Sequence, residues 1–168
     1  MDRTSGPTEL EMGQDAALMV MVAARLVAER VLADLVEAGF DDTREGDGYV
    51  FQLLQQGSAS VSEVAEHLGI SQQGASKSVA DLERRGYVRR RPSTVDGRVR
   101  RVELTDRAWA VIDEARRVRA RLGAEIDERL GVRNAAGFRR SLVAVAESLG
   151  AADVLARRAV PPPDATPG

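Results

Sequence analysis

Residues 71–86, SQQGASKSVADLERRG, combine side chains that can form hydrogen bonds with the spacing of a single helix. On a helical wheel, Ala75, Val79 and Leu82 lie together and are expected to face a core. The other side of the wheel carries Gln73, Lys77 and Arg84, with Gln72, Ser76 and Ala80 at its flank. Because Gln can pair with adenine, and Lys with guanine or phosphate, this face predicts contacts with nucleic acid. The alternative is a solvated helix face, which is what most faces of this composition are.

A second short helix is predicted immediately before this one. Residues 60–69, SVSEVAEHLG, contain a capping box in which Ser60 and Glu63 each accept a hydrogen bond from the other's backbone, and Gly69 ends the helix. Ser71 is the expected N-cap of the following helix, so only two or three residues join the two. This arrangement predicts a helix-turn-helix, whose second helix enters the major groove of DNA.

A basic hairpin is predicted after the two helices. In residues 87–104, YVRRRPSTVDGRVRRVEL, two short runs with branched side chains flank a cluster of turn-forming residues. Although the whole chain has a net charge of −2, residues 71–107 hold ten basic and five acidic side chains, whereas residues 1–70 hold four Arg and thirteen acidic residues. A phosphate would meet this local basic patch and not the charge of the whole chain. The order helix, helix, hairpin predicts a winged helix.

The chain before the winged helix is expected to be helical as well. Residues 12–38 are good helix formers, and they are apolar nearly all the way round the helix between positions 16 and 28. The turn-forming segment GFDDTREGDG, residues 39–48, ends this helix, and residues 49–56 form the next one. A helix that is apolar on several sides must be covered on more than one of them.

After the hairpin, Thr105 and Asp106 are expected to start a long helix that reaches about Gly131, with Asn134 capping the next helix. Apolar residues follow both helices at helical spacing: Trp109, Ile112, Ala115, Leu122, Ile126, Leu130, Phe138, Leu142, Val145 and Leu149. The terminal helices therefore carry more apolar surface than a small winged helix can cover. We expect this apolar surface to be buried between two chains, and burial within one chain is the alternative.

The predicted fold class is mainly α with a small β-hairpin wing, that is, a winged helix-turn-helix with N- and C-terminal dimerisation helices. The expected organisation is a flexible N-terminus at 1–11, an N-terminal helix and connection for dimerisation at 12–48, a winged helix-turn-helix DNA-binding domain at 49–107, C-terminal dimerisation helices at 108–158, and a disordered Pro-rich tail at 159–168.

Several function classes find no support in the composition. The chain has no Cys, which excludes disulfides and thiolate metal sites, and its single His, His67, is more readily explained as a solvated residue near a helix end than as a metal ligand beside Glu63. No nucleophile elbow and no glycine-rich phosphate loop are present, so neither an enzyme nor a cofactor is expected. The longest apolar run has nine residues, at 16–24, too few to span a bilayer, and no signal peptide is recognisable, which predicts a soluble, cytoplasmic protein.

Residues 49 to about 109 resemble the multiple-antibiotic-resistance regulator (MarR) family of winged-helix transcription factors. The similarity rests on three motifs. They are Ser76 with Lys77 near the start of the second helix, the Asp-Gly-Arg run at positions 96–98 in the wing, and Leu104 with Thr105 after the wing. Lys77 stands where the family usually has Arg.

The resemblance implies a homodimer that binds a pseudo-palindromic DNA operator, usually as a repressor that an aromatic or anionic small molecule releases. The basic tip of the hairpin is expected to insert Arg98 into the neighbouring minor groove, and the resemblance suggests that Asp96 orders the wing. Some winged helices instead bind only proteins, and such an interaction module without specific DNA binding is the alternative function. A polar reading face beside a basic wing favours DNA.

We therefore expect DNA contacts from thirteen residues: Ser60, Ser62, Ser71, Gln72, Gln73, Ser76, Lys77, Arg84, Arg90, Arg91, Asp96, Arg98 and Arg100. A candidate ligand pocket lies where the winged helix meets the dimerisation helices, near Arg25, Tyr49 and Trp109. These three residues have simpler roles open to them as well, because aromatic side chains are more often part of a core, and Arg25 can pair with an acidic neighbour. No metal site is expected.

Overall fold

The computed structural model of the chain describes residues 15–92 and 100–150. Within these residues the elements, in chain order, are α1 (Ala16–Glu37), α2 (Asp47–Leu54), α3 (Val61–Leu68), α4 (Gln72–Arg84), β1 (Val88–Pro92), β2 (Arg100–Leu104) and α5 (Asp106–Ser148). The predicted fold class is confirmed: the described part is mainly helical, with one antiparallel hairpin after two short helices.

The caps of α3 and α4 are those that the sequence predicts. The Oγ of Ser60 accepts from the backbone N–H of Glu63 at 3.2 Å, and a carboxylate oxygen of Glu63 accepts from the backbone N–H of Ser60 at 2.6 Å. Gly69 ends α3 in the left-handed conformation, which costs glycine little. Ser71 caps α4 through the backbone N–H of Gly74 at 3.1 Å. These caps leave a very short turn, which fixes the angle between the two helices.

The predicted hairpin is confirmed by the pairing of β1 and β2. Its register runs from Val88 opposite Leu104 to Pro92 opposite Arg100. Ala59, just before α3, adds an isolated bridge to Val102, with N–O distances of 3.1 and 2.7 Å. The base of the wing is thereby fastened to the start of the helix-turn-helix. The tip of the hairpin lies outside the described residues.

The core lies between α2, α3, α4, the hairpin and the first turns of α5. As predicted, the inward face of α4 is buried at Ala75, Val79 and Leu82. Buried apolar side chains from the other elements surround it: Leu35, Val50, Phe51, Leu54, Ala59, Val64, Ala65, Leu68, Tyr87, Val88, Val102, Leu104, Ala108, Val111 and Ile112. This core holds α4 with its opposite face outward.

The terminal helices leave much of their apolar surface exposed. Leu26 of α1 is 58% exposed, Val132 of α5 is 91% exposed, and further large apolar residues on the same helices are exposed as well. None of the helices in 15–92 and 100–150 is both long and apolar enough to cross a membrane.

One predicted boundary in the terminal helices is wrong. Asn134 does not cap a separate helix but lies inside α5, and the interruption is at Gly131, with φ 72° and ψ 154°. The bend is absorbed by a single glycine in the left-handed region, so no capped turn is needed.

Candidate nucleic-acid interface

The outward surface of α4 is the centre of the candidate site. We call it the reading face and define it as Gln72, Gln73, Ser76, Lys77 and Arg84, all of which are exposed. The three buried positions on the opposite side of the helix set this orientation. Gly74 lies near the N-terminal end of the face, and a Cβ there would come 3.3 Å from the Oγ of Ser71. The first turn of α4 is therefore compact at Gly74.

One side of the reading face is joined to α3 by serines. The Nε2 of Gln72 donates to the Oγ of Ser62 at 3.0 Å, which holds the starts of the two helices together. The Oγ atoms of Ser60 and Ser71 accept the capping bonds described above. A hydroxyl that accepts one hydrogen bond still has its own hydrogen to donate. These serines can therefore cap their helices and contact a phosphate at once.

The strands of the wing extend the same side. Arg90 approaches Glu83 of α4, with 3.5 Å between its Nε and the carboxylate, and it is half-buried. Arg91 approaches Glu103 at 3.5 Å, and Arg100 is exposed. Such partly exposed pairs contribute little to stability and exchange readily for another anion. Two further residues of the expected interface, Asp96 and Arg98, lie outside the described residues.

Arg101 anchors the wing, a role that the sequence analysis missed. Its guanidinium donates to the Glu63 carboxylate at 2.7 Å and to the carbonyl oxygen of Ser58. The backbone and side chain of Ser60, followed by Arg101, hold the pKa of Glu63 below its usual value. The same carboxylate thus closes the α3 capping box and binds the second strand of the wing.

A buried polar network behind α4 was also missed. Arg85 forms a bidentate ion pair with Asp47, with Nη1–Oδ2 2.6 Å and Nη2–Oδ1 2.8 Å, and the two side chains are only 9% and 8% exposed. Arg85 also donates to the Asp42 carbonyl oxygen and to the Asp81 carboxylate, both at 2.8 Å. The hydrogen bond to Asp47 is the main reason why the pKa of Arg85 is raised. This network fixes the end of α4 to the connection between α1 and α2.

Tyr87 extends the network to α5. Its hydroxyl donates to the Asp42 carboxylate and hydrogen-bonds to Thr43 at 3.0 Å, while the guanidinium of Arg107 stands over its ring, 4.9 Å from the centroid. Burial and the neighbouring Asp42 raise the pKa of Tyr87. The sequence signal for this network was the acidic turn DDTREGD followed, some forty residues later, by ERRGY. The spacing in sequence gave no indication that the two segments meet.

A cavity of about 460 Å³ lies between α1, α2 and the start of α5. Its walls are mainly apolar, and its polar lining includes Arg44, Glu45 and Arg119. The three residues expected at a ligand pocket do not line this cavity. Arg25 is 80% exposed and pairs with Glu29 at 2.8 Å, Trp109 is partly exposed on α5, and Tyr49 lines a separate groove beside α4. The expectation was based on aromatic and cationic side chains, whereas this cavity is lined mainly by aliphatic ones.

His67 differs from the expected solvated residue. It is half-buried, its Nε2 has no hydrogen-bond partner in the described part of the chain, and burial lowers its pKa. Across residues 15–92 and 100–150, no group of three or more His, Cys, Asp or Glu side chains is placed to hold a metal ion.

The sequence model of the MarR family matches residues 49–99. A comparison with curated protein sequences gives no match.

Solved structures share the fold over most of the chain. The YusO protein from Bacillus subtilis is 20% identical, with 84% of this chain and 99% of that chain covered and a TM-score of 0.66. The transcriptional repressor CouR bound to a 23-mer DNA duplex is 24% identical, with coverage of 84% and 99% and a TM-score of 0.61. Streptococcus pneumoniae FabT in complex with DNA is 21% identical, with coverage of 80% and 93% and a TM-score of 0.64. The motifs of α4 and of the wing agree with this match: residues 49–99 resemble the MarR family, and the chain shares the winged-helix fold of these solved structures.

Proposed function

We propose that this protein is a DNA-binding transcriptional regulator and that it represses transcription from a pseudo-palindromic operator. The observation that carries the proposal is the exposed reading face of α4, held outward by a buried core and placed beside a basic hairpin. Two proteins of the same fold, CouR and FabT, were solved with DNA, which supports the same partner here.

The reading face supplies the chemistry that base recognition requires. Gln73 can pair with the N6 and N7 positions of adenine, and Lys77 can donate to guanine or to an adjacent phosphate. The serines at the starts of α3 and α4, together with the arginines of the wing, would contact the backbone. Backbone contacts position the protein on the duplex, whereas the contacts of Gln73 and Lys77 would specify the sequence.

A homodimer is the second part of the proposal. Exposed apolar residues cluster on α1 and on the second half of α5, and a symmetric pairing of two chains would bury them. Two-fold symmetry would place the two copies of α4 about one DNA turn apart, ~34 Å, in successive major grooves. A regulator of this kind acts where the genome is accessible, which favours the cytoplasm.

The third part concerns release by a small molecule. The cavity between α1, α2 and α5 offers apolar walls, and Arg119 on its lining has no ion pair among the described residues. An effector with an apolar body and an anionic group fits this lining, because the anion would pair with the Arg119 guanidinium. The cavity is bounded by α1 and by the helix α2 of the DNA-binding core, so an effector there would act on their relative position.

Substitutions on the reading face test the proposal. We expect Lys77→Ala to weaken binding to an operator duplex by ~1–3 kcal/mol, and Gln73→Ala to relax base preference more than it weakens non-specific binding. Fluorescence anisotropy with operator and scrambled duplexes measures both quantities. Arg117→Ala is the matched control, since it removes one exposed cation from α5, far along the chain from the reading face. If neither reading-face variant differs from this control, α4 is not the surface that reads DNA.

A further inference from the structure

Asp81 of α4 is shared by three arginines. Arg44 approaches it at 3.0 Å from the connection between α1 and α2, Arg84 contacts it from the next turn of α4, and Arg85 donates to it at 2.8 Å from the buried side. Asp81 itself is only 18% exposed. Burial alone would raise its pKa, but the hydrogen bond from Arg85 and the charges of all three arginines hold that pKa below its usual value. A single carboxylate thus organises three guanidinium groups.

The positive charges around Asp81 are not equally neutralised. Arg85 is buried and already paired with Asp47, whereas Arg44 and Arg84 are 65% and 70% exposed and share the one carboxylate. Exposed ion pairs of this kind are weak and exchange readily. The excess positive charge is therefore presented to solvent by Arg44 and Arg84.

Arg44 stands beside the reading face on the side away from the wing. Asp81 lies one turn after Lys77 and next to it on the helix surface, whereas Gln72 and Glu83, which contact Ser62 and Arg90, lie on the other side of the face. A groove of about 800 Å³ runs along this second side and is lined by Arg44, Tyr49, Lys77 and Arg84, among others. The reading face is thus bordered by basic groups on both sides.

The geometry of DNA places a phosphate backbone next to the basic groups on this second side. A helix in the major groove has a phosphate backbone on each side, because the groove is about 12 Å wide and a helix with its side chains about 10–12 Å across. In the proposed complex, the wing and the serines contact one of these two backbones. Arg44 is the residue placed to meet the other.

We propose that Arg44 contacts a DNA backbone phosphate on the side of the major groove opposite the wing, with Asp81 positioning its guanidinium beside the reading face. The proposal rests on the proposed function, and it extends the interface to the connection between α1 and α2, which precedes the helix-turn-helix. Arg44 would contribute affinity without sequence preference, since phosphate contacts carry no base information.

Salt dependence of binding tests this role. We expect Arg44→Ala to weaken binding to operator and scrambled duplexes by the same factor and to reduce the slope of log K against log salt by ~0.9, the value for one phosphate contact. Arg44→Lys should keep the slope, because it keeps the cation. Arg117→Ala, which removes an exposed cation from α5, should leave both the slope and the affinity unchanged.

Thermal unfolding of the same variants distinguishes a DNA contact of Arg44 from a purely structural role of this residue. If Arg44 only fastens the connection to α4, Arg44→Ala will lower the melting temperature while the salt slope stays at the wild-type value, and the proposal is overturned. A wild-type protein that binds no duplex would instead refute the proposed function. If the wild type binds and Arg44→Ala has the wild-type slope, only the present inference fails.

Discussion

The winged helix and the terminal helices use the same kinds of apolar residue with opposite results. In the winged helix, Val64, Ala75 and Val79 are completely buried within one chain. On α1 and the second half of α5, larger apolar side chains, such as Met21 and Leu149, remain 70% and 80% exposed. The first region completes its own core. The second has an apolar surface that residues 15–92 and 100–150 do not cover.

The charged residues show the same contrast. In the winged helix the ion pair of Arg85 with Asp47 is buried and bidentate, so its geometry is fixed from several directions. On the terminal helices the arginines of the ion pairs are largely exposed, as in the pair of Arg25 with Glu29. A buried, fully satisfied pair specifies one arrangement, while an exposed pair tolerates many. The contrast supports the proposal that the winged helix reads DNA and that the terminal helices are completed by association of two chains.

The largest effect is expected from a substitution in the apolar surface of the terminal helices. A symmetric dimer of the Leu26→Asp variant would carry the new carboxylate twice in its interface. Burial of a carboxylate in an apolar interface costs several kcal/mol. We expect this variant to be a monomer at concentrations where the wild type is a dimer, and to lose most of its operator affinity. Analytical ultracentrifugation measures the change. Glu29→Ala, an exposed polar position on the same helix, is the control and should remain dimeric. A fully dimeric Leu26→Asp protein would show that α1 does not form the interface.

The second largest effect is expected from a substitution in the buried polar network of the winged helix. Arg85→Ala leaves Asp47 buried without its partner, and we expect it to lower the free energy of unfolding by ~3–5 kcal/mol. The neighbouring Arg84 shares Asp81 with Arg85 but is 70% exposed, so Arg84→Ala should cost less than ~1 kcal/mol. Urea denaturation compares the two. Equal losses for both variants would mean that burial does not distinguish these arginines.

The smallest effect concerns pH and again separates buried from exposed groups. Burial lowers the pKa of His67 in the folded protein below 6.5, so the unfolded chain binds the proton more readily. The stabilisation is therefore complete above pH 6.5 and is lost as the pH falls below that value, by at most ~1.4 kcal/mol per pH unit. His67→Gln should flatten the stability curve between pH 7 and 5.5, since the chain has no other His. An unchanged slope in urea denaturation would assign the pH dependence to other groups.

Local sequence patterns predicted much of the fold and of the reading face. Capping at Ser60 and Ser71, the turn at Gly69 and the wheel of α4 depend on residues within one or two helical turns, and each is confirmed. The functional roles of the thirteen expected DNA contacts, and the division of the chain into domains, remain predictions.

The missed features depend on contacts between distant segments. Arg85 meets Asp47 across 38 residues of sequence, and Arg101 meets Glu63 across the same separation. The cavity lining and the burial of His67 likewise follow from how whole helices pack. Periodicity identifies which face of a helix is inward, but it does not identify which neighbouring segment that face meets.

Selection of bound duplexes from a random-sequence pool tests the central claim most directly, because it depends on the reading face and on the dimer together. The wild-type protein should enrich an inverted repeat whose half-sites are centred about one helical turn apart, ~10 base pairs. The monomeric variant Leu26→Asp should enrich at most a single half-site. Recovery of sequences with no shared motif by the wild type would contradict the claim that this protein is a dimeric, sequence-specific regulator.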